Sequence, residues 1–177
     1  PEAMDPARHF LNNFNFIEKS KDIRFLKTGC MPIAEGPGRA SILEQYNIPP
    51  DAKVIGFLGR HTYIKGYDIL KEACTNLLEK HKNLYVLIAG NGVIPPLQHP
   101  RWIECGRVDP KNFLEALDLF ILPNRTTYYD LVSLEVMSKG IPILASRTGG
   151  NISLARDVPA FKCFEPNVPS LIEGVDS

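Results

Sequence analysis

Two cations, each next to a glycine, stand on either side of a short polar loop. Arg60 follows Gly59 directly after an apolar run, and Lys65 precedes Gly66 at the start of a helical pattern. Glycine lets the backbone approach a ligand closely, while arginine and lysine supply positive charge and hydrogen-bond donors. Helix N-termini add unpaired amides and the positive end of the helix dipole. The pattern predicts a site for a phosphate or diphosphate, although the same two cations also fit an ordinary solvated loop.

A second glycine-rich turn, Gly90-Asn91-Gly92, does not complete a dinucleotide-binding motif. It lacks the third glycine of G-x-G-x-x-G, and Pro95 and Pro96 follow where that motif needs a helix. These features argue against a nicotinamide-dependent enzyme.

Standard catalytic and metal-binding motifs are absent from the sequence. There is no G-x-S-x-G, no G-x-x-x-x-G-K-[ST], no H-E-x-x-H and no D-x-D pair that could hold a metal on a diphosphate. The four cysteines are far apart and form no C-x-x-C, which predicts reduced thiols rather than a zinc site or a redox pair. Neutralisation of a phosphate would therefore fall to Arg60, Lys65 and helix ends, with no metal ion expected.

The composition is that of a globular protein without a strong overall charge. Hydrophobic residues make up 44% and charged residues 23% of the 177 residues, and 20 Lys and Arg balance 20 Asp and Glu. This balance argues against nucleic acid as a partner. The sequence has no run of roughly 20 apolar residues and no signal-peptide pattern at its start, which predicts a cytoplasmic protein.

Short apolar runs alternate with helical patterns from residue 54 onward. The runs lack the alternation of a half-exposed strand, which is typical of strands covered on both faces. They are VIGFLG (54–59), NLYVLIAG (83–90), WIECGRV (102–108), LFILP (119–123) and IPILAS (141–146). Helices are predicted over an apolar stripe from Ile69 to Leu78, over KNFLEALD behind Pro110, and over LVSLEVMSKG, ending at Gly140.

This order predicts an α/β domain over residues 54–177, with a doubly wound, mostly parallel sheet and helices on both faces. Residues 1–53 are predicted to be an N-terminal segment or linker, with a short strand at IRFLK (23–27) and a short helix at SILEQYNIPP (41–50) that proline stops. Such sheets bind ligands at the carboxyl ends of their strands. We expect Arg60, Lys65 and the glycine turns at that edge.

Four stretches of this segment stand in a recognisable order and spacing. They are GRHTYIKGYDIL (59–70), IAGNG (88–92), ECGRV followed by FLEALDLFILPN (104–124), and LVSLEVMSKGIPILASRTGG (131–150). The last is similar to the pattern L-V-x-L-E-A-M-x-x-G-x-P-V-x-A-S-x-x-G-G. Together they make residues 54–150 resemble the C-terminal, donor-binding domain of retaining glycosyltransferases with the GT-B fold, of the large family 4 group.

The resemblance implies a nucleotide-sugar site. Arg60 and Lys65 would hold the diphosphate of a UDP-sugar or GDP-sugar and stabilise it as it leaves. The backbone at Arg107 and Val108 would lie against the base, and Glu135 would accept both ribose hydroxyls, since its two oxygens can accept from a vicinal diol. The donor-binding residues implied in this way are Gly59, Arg60, Lys65, Gly90, Arg107, Val108, Thr127, Leu131, Val132 and Glu135.

Two positions depart from the family pattern. The first glutamate of the family's acidic motif falls on Thr127, and the usual glycine before the helix falls on Asp130. Asp130 is a good N-cap, worth about 1 kcal/mol. A capping carboxylate would occupy amides that a phosphate uses, and two like charges about 4 Å apart repel by roughly 4 kcal/mol at an effective dielectric of about 20. We expect these departures to affect the donor sugar and to leave the diphosphate contacts of Arg60 and Lys65 unaffected.

The leading interpretation is the donor domain of a metal-independent, retaining glycosyltransferase, which moves a sugar from a nucleotide diphosphate sugar to an acceptor. The alternatives are a non-catalytic nucleotide-sugar-binding or regulatory domain on the same fold, and a sugar-nucleotide epimerase or phosphorylase of related architecture. Calorimetry with UDP and GDP, with and without magnesium, would separate the first reading from the others.

The acceptor side of such an enzyme is not expected within this chain. Family enzymes bind the acceptor, a sugar, lipid or protein, through a preceding Rossmann-like domain, which residues 1–53 are too few to form. VPSLIEGVDS (168–177) is expected to break off before the helices that return to that domain. We expect the chain to fold and bind nucleotide weakly but to transfer no sugar, and we leave open a peripheral association of the full-length protein with the inner face of a membrane.

Overall fold

The computed structural model describes residues 29–128 and 130–177. The strand predicted at IRFLK (23–27) lies outside these residues. Within them, the strands are β1 (Lys53–Leu58), β2 (Leu84–Ala89), β3 (Trp102–Gly106), β4 (Leu119–Leu122), β5 (Ile143–Ser146) and β6 (Phe161–Phe164). The helices are α1 (Arg39–Gln45), α2 (Tyr67–Lys80), α3 (Pro110–Glu115), α4 (Leu131–Ser138), α5 (Gly150–Asp157) and α6 (Val168–Asp176).

The strands form one parallel sheet in the order β3-β2-β1-β4-β5-β6. The chain begins in the middle with β1, builds outward to β3, returns to β4 beside β1 and builds outward again to β6. This confirms the predicted doubly wound α/β fold. The winding reverses between β1 and β4, and the crevice outside the carboxyl ends of the strands at such a point is where these sheets bind ligands.

Both faces of the sheet are covered, which explains the unbroken apolar runs. Val54 and Phe120 belong to a core on one face that includes residues of α1, α3 and α4. Ile55 and Ile121 belong to a core on the other face, shared with α2 and α6. Each large apolar side chain that is fully buried contributes about 1.5–3 kcal/mol, so the two layers hold firmly the strand ends from which the loops of the site start.

The predicted N-terminal helix is present as α1 and packs near α3. Arg39 joins it to the start of β4, because its Nη2 lies 2.9 Å from Asp118 Oδ2. Glu115 accepts hydrogen bonds from the backbone N–H groups of Gly36 (2.5 Å) and Gly38 (2.6 Å). The predicted domain boundary at residue 53 stays a prediction, although the segment immediately before it is tied to the sheet domain.

Sequence analysis did not predict α5, β6 and α6. The strand β6 is only four residues long, and the exposed Lys162 interrupts its apolar pattern. The helix α6 does carry a start signal, because Asn167 Oδ1 accepts from Ser170 N–H (3.0 Å) and a proline occupies the first turn. The asparagine and the proline were the signal that could have revealed this helix.

Candidate functional site

Arg60 stands at the carboxyl end of β1, in the loop that leads to α2. The backbone of this loop extends the sheet, since Gly59 N–H donates to Ala89 O (2.9 Å) and His61 N–H donates to Asn91 O (2.9 Å). The loops after β1 and β2 are therefore pinned side by side. Arg60 is exposed, and its guanidinium has no ion pair with any residue that the structure describes. Its charge is available to a ligand.

A cleft of about 300 Å³ opens where β1, β2 and β3 end. Its lining includes five of the predicted donor-binding residues, Gly59, Arg60, Gly90, Arg107 and Val108. Gly90 is required here, because its φ is 120° and a Cβ at this position would lie 2.0 Å from the carbonyl oxygen of Gly59. The structure brings these five residues together as the sequence predicts, and their binding role remains a prediction.

Lys65 is not free. Its Nζ lies 2.9 Å from Asp130 Oδ1, and the two side chains are only 26% and 17% exposed. The other carboxylate oxygen, Asp130 Oδ2, accepts a hydrogen bond from Asn124 Nδ2. Asp130 does occupy the N-cap position of α4, but its side chain makes no capping hydrogen bond. The prediction that the Asp130 carboxylate caps α4 is therefore wrong. The expectation that Asp130 leaves Lys65 unaffected is also wrong, because the two side chains form an ion pair.

The position of Lys65 follows from the tight junction between its loop and the end of β4. Gly66, the N-cap residue of α2, has φ 64°, and a Cβ there would lie 1.8 Å from Pro123 O. No other residue type fits this contact without movement of the backbone. The junction brings the start of α2 against the loop that contains Asn124 and Asp130.

Arg125 stabilises the same junction by contacts that sequence analysis did not predict. Its two terminal nitrogens each lie 2.6 Å from an oxygen of Asp68, and Nη1 also donates to Tyr63 O at 2.7 Å. Partial burial acts to raise the pKa of the Asp68 carboxyl, but the hydrogen bonds and charge of Arg125 outweigh it, and the pKa lies below its usual value. Nothing in the sequence pairs residues 57 positions apart, so only the fold reveals this contact.

The loop before α4 carries the remaining predicted residues. Thr127 is buried, and its carbonyl oxygen would lie 1.8 Å from a Cβ on Gly149, whose φ is 48°. The loop is thus pinned to the end of β5. Leu131 is exposed at the first position of α4, while Val132 and Glu135 are half-buried in the same helix. These four residues lie on the β4–β5 side, outside the lining of the 300 Å³ cleft.

A cluster of aromatic and polar side chains lies next to Arg60, and in it His61, Tyr67 and Trp102 are buried while Glu104 is exposed. The ring of His61, a residue only 4% exposed, stacks on that of Tyr67 with centroids 4.1 Å apart. Glu104 Oε1 accepts from Tyr67 Oη (2.8 Å) and Trp102 Nε1 (2.7 Å), and Glu104 Oε2 lies 4.0 Å from His61 Nε2. Burial lowers the pKa of His61 more than the negative Glu104 raises it. The imidazole is therefore neutral at neutral pH.

A smaller hollow of about 220 Å³ shares Arg107 and Val108 with the cleft, whereas the hollows at the amino ends of the strands contain none of the predicted residues. Hollows of about 570 and 510 Å³ lie near the amino ends of the strands, around Arg39 and Lys53. Among the described residues, no three His, Cys, Asp or Glu side chains gather as metal ligands would. None of the helices in the same part of the chain is long and apolar enough to cross a membrane. All four cysteines are free thiols.

Sequence comparison assigns the family. The profile of the family described as Glycosyl transferases group 1 matches residues 52–175. The chain belongs to this family. A D-inositol 3-phosphate glycosyltransferase from Corynebacterium urealyticum is 32% identical over 153 residues, which cover 76% of this chain and 35% of that protein. The resemblance to glycosyltransferases is thereby confirmed, and this group 1 domain is a glycosyltransferase domain.

Solved structures show the same architecture. Sucrose-phosphate synthase from Thermosynechococcus elongatus aligns with a TM-score of 0.71 at 18% identity, covering 96% of this chain and 46% of that chain. Anabaena HepE in complex with UDP-glucose aligns with a TM-score of 0.66 at 20% identity, covering 77% and 41%. These likenesses confirm the fold as a Rossmann-like half of a GT-B fold. The group 1 domain described here spans about a third of the length of the curated relatives it matches.

Proposed function

We propose that this chain is the donor-binding domain of a metal-independent, retaining glycosyltransferase, and that it binds a nucleotide diphosphate sugar at the carboxyl edge of its sheet. One observation carries the proposal: Arg60, which has no ion pair with a described residue, shares a cleft with Gly59, Gly90, Arg107 and Val108 at the ends of β1, β2 and β3. A positive side chain beside glycines that admit close backbone contact suits a diphosphate. The HepE complex, on the same fold, holds UDP-glucose.

The donor would lie along the ends of the strands. Its base would rest on the backbone of Arg107 and Val108, and its diphosphate would reach from Arg60 towards Lys65. Glu135 would accept both ribose hydroxyls, and its half-buried side chain has no ion pair within the described residues. Thr127 and the first residues of α4, Leu131 and Val132, would lie beside the donor sugar.

The chemistry that this arrangement supports is stabilisation of a leaving group. During transfer the bond between the anomeric carbon and the diphosphate oxygen breaks, and negative charge grows on the diphosphate. Arg60, and Lys65 once it is released from Asp130, would stabilise that charge without a metal ion. The acceptor hydroxyl oxygen would bond to the anomeric carbon on the face that the diphosphate leaves, which retains the anomeric configuration. The hydroxyl proton would pass to the departing diphosphate oxygen.

We place the acceptor, a sugar, lipid or protein, on a further domain of the complete protein that covers this edge. Exposed apolar side chains at this edge support such a cover, because a second domain would remove them from water. Those on loops or a helix start at this edge are Tyr63, Ile64, Val93, Tyr128 and Leu131. A lipid-linked acceptor would bring the full-length protein to the inner face of a membrane.

A second candidate, a non-catalytic domain that binds nucleotide sugars, is favoured by two observations. Thr127 supplies no carboxylate where the family pattern has its first glutamate, and Lys65 is neutralised by Asp130. Measurement of sugar transfer by the full-length protein separates the two, because the second candidate binds the donor and releases no product.

Calorimetry with UDP and GDP, without magnesium, tests the proposed function. Arg60→Ala is expected to weaken binding by about 10- to 100-fold, because a hydrogen bond to a charged group is worth about 1.5–3 kcal/mol. Lys53→Ala is the matched control, since it removes one positive charge at the other end of β1, about 20 Å away. Equal affinity in the Arg60→Ala variant and the parent would contradict the proposal, as would a strict need for magnesium.

A further inference from the structure

The ion pair between Lys65 and Asp130 stands inside the proposed donor site. Lys65 is one of the two cations assigned to the diphosphate, and Asp130 Oδ1 lies 2.9 Å from its Nζ. Both side chains are largely buried, at 26% and 17% exposure, so solvent screens this pair less than a pair on the open surface. The cation is therefore occupied before any ligand arrives.

Asp130 is held in this position from its other side as well. Asn124, which is fully buried after β4, donates from Nδ2 to Asp130 Oδ2. The backbone of Asn124 is fixed in turn, because its carbonyl oxygen accepts from the hydroxyls of Ser146 (2.5 Å) and Thr148 (3.4 Å). The carboxylate is therefore directed at Lys65 by a rigid part of the sheet edge and not by the free amides of α4.

From this geometry, and resting on the proposed function, we infer that Asp130 sets the donor affinity of this domain by competing with the diphosphate for Lys65. Two like charges cannot share one ammonium group in a half-buried site without strong repulsion. Binding of a diphosphate must displace the carboxylate or tolerate it at close range. At rest Arg60 and Arg107 have no ion pair within the described residues, and Lys65 joins them only when a ligand takes it from Asp130.

If Asp130 competes with the diphosphate for Lys65, removal of the negative charge of Asp130 should tighten nucleotide binding. Asp130→Asn keeps the side-chain shape and removes the negative charge, so UDP and GDP are expected to bind at least about fivefold more tightly. The gain must depend on Lys65, because the inferred competition acts through its ammonium group. The same substitution in a Lys65→Ala background is therefore expected to change affinity by less than about twofold.

The experiment is a double-mutant cycle on the 177-residue chain, read by calorimetry with UDP and with GDP without magnesium. Asp176→Asn is the matched control for net charge, since Asp176 pairs with Lys80 (2.7 Å) at the far end of α2. That helix has 14 residues and is about 20 Å long, so the control lies well away from Lys65. Asp130→Ser is a second variant in case Asp130→Asn does not fold, and thermal unfolding checks each protein.

The outcomes separate the inference from the proposed function on which it rests. Tighter binding in Asp130→Asn that disappears without Lys65 supports the inference. Unchanged or weaker binding in Asp130→Asn, while Lys65→Ala or Arg60→Ala weakens the parent, overturns the inference and leaves the proposed function standing. A gain that persists without Lys65 also overturns it, since the carboxylate would then act by its general field. Absence of UDP and GDP binding in every variant overturns both.

Discussion

His61 follows Arg60 directly in the chain, and its charge can change near neutral pH. Its buried ring faces Glu104 and Tyr67, and burial holds its pKa below the ordinary value of about 6.5. The unfolded chain therefore binds a proton at this position more readily than the folded chain does. The stability that neutral His61 contributes is complete above pH of about 6.5 and is lost as the pH falls below it.

We predict that the free energy of unfolding falls between pH 7.5 and pH 5.5, and that His61→Gln reduces the fall. Glutamine stays neutral at both values, so the contribution of the imidazole to proton uptake disappears. The carboxyls with lowered pKa, such as Asp68 and Asp176, contribute in a more acidic range and do not obscure the comparison. Urea denaturation at the two pH values measures the effect, and an identical pH dependence in parent and variant would contradict it.

At the scale of elements, the junction between α2 and the end of β4 decides where Lys65 lies. Gly66→Ala is expected to destabilise the protein by about 1–3 kcal/mol beyond the cost of its left-handed backbone, because its Cβ would lie 1.8 Å from Pro123 O. Gly140→Ala is the control, since Gly140 has a similar φ of 71° and open space around the position of a Cβ. Chemical denaturation of both variants measures the difference, and equal losses would show that the contact with Pro123 carries no cost.

The same junction shows what the sequence could and could not predict. The strands β1 to β5 and the α2 and α4 helices followed from local apolar patterns, because each pattern is confined to a few neighbouring residues. The cleft residues followed from the rule that parallel strands collect their carboxyl ends at one edge. The partners of Lys65 and Asp68 did not follow, because Asp130 and Arg125 are 65 and 57 positions away and meet them only through the sheet order.

At the scale of the whole molecule, the order β3-β2-β1-β4-β5-β6 divides the site into two parts. The half built on β1, β2 and β3 holds Arg60 and the cleft, while the half built on β4 and β5 holds Asn124 and Asp130. Lys65 joins the halves, since its loop leaves β1 and its charge meets the loop after β4. The 20 positive and 20 negative side chains balance overall, so attraction of an anion must come from local cations such as those at this edge.

The most direct test of the account is an amide NMR titration of the 177-residue chain with UDP and GDP in the absence of magnesium. We predict saturable shifts at the amides of Gly59, Gly90, Arg107 and Val108, because the diphosphate and base would lie against their backbone. Addition of magnesium should leave the pattern unchanged. Saturable shifts confined to the amino ends of the strands around Lys53, or no saturable shift at the four cleft amides, would contradict the account.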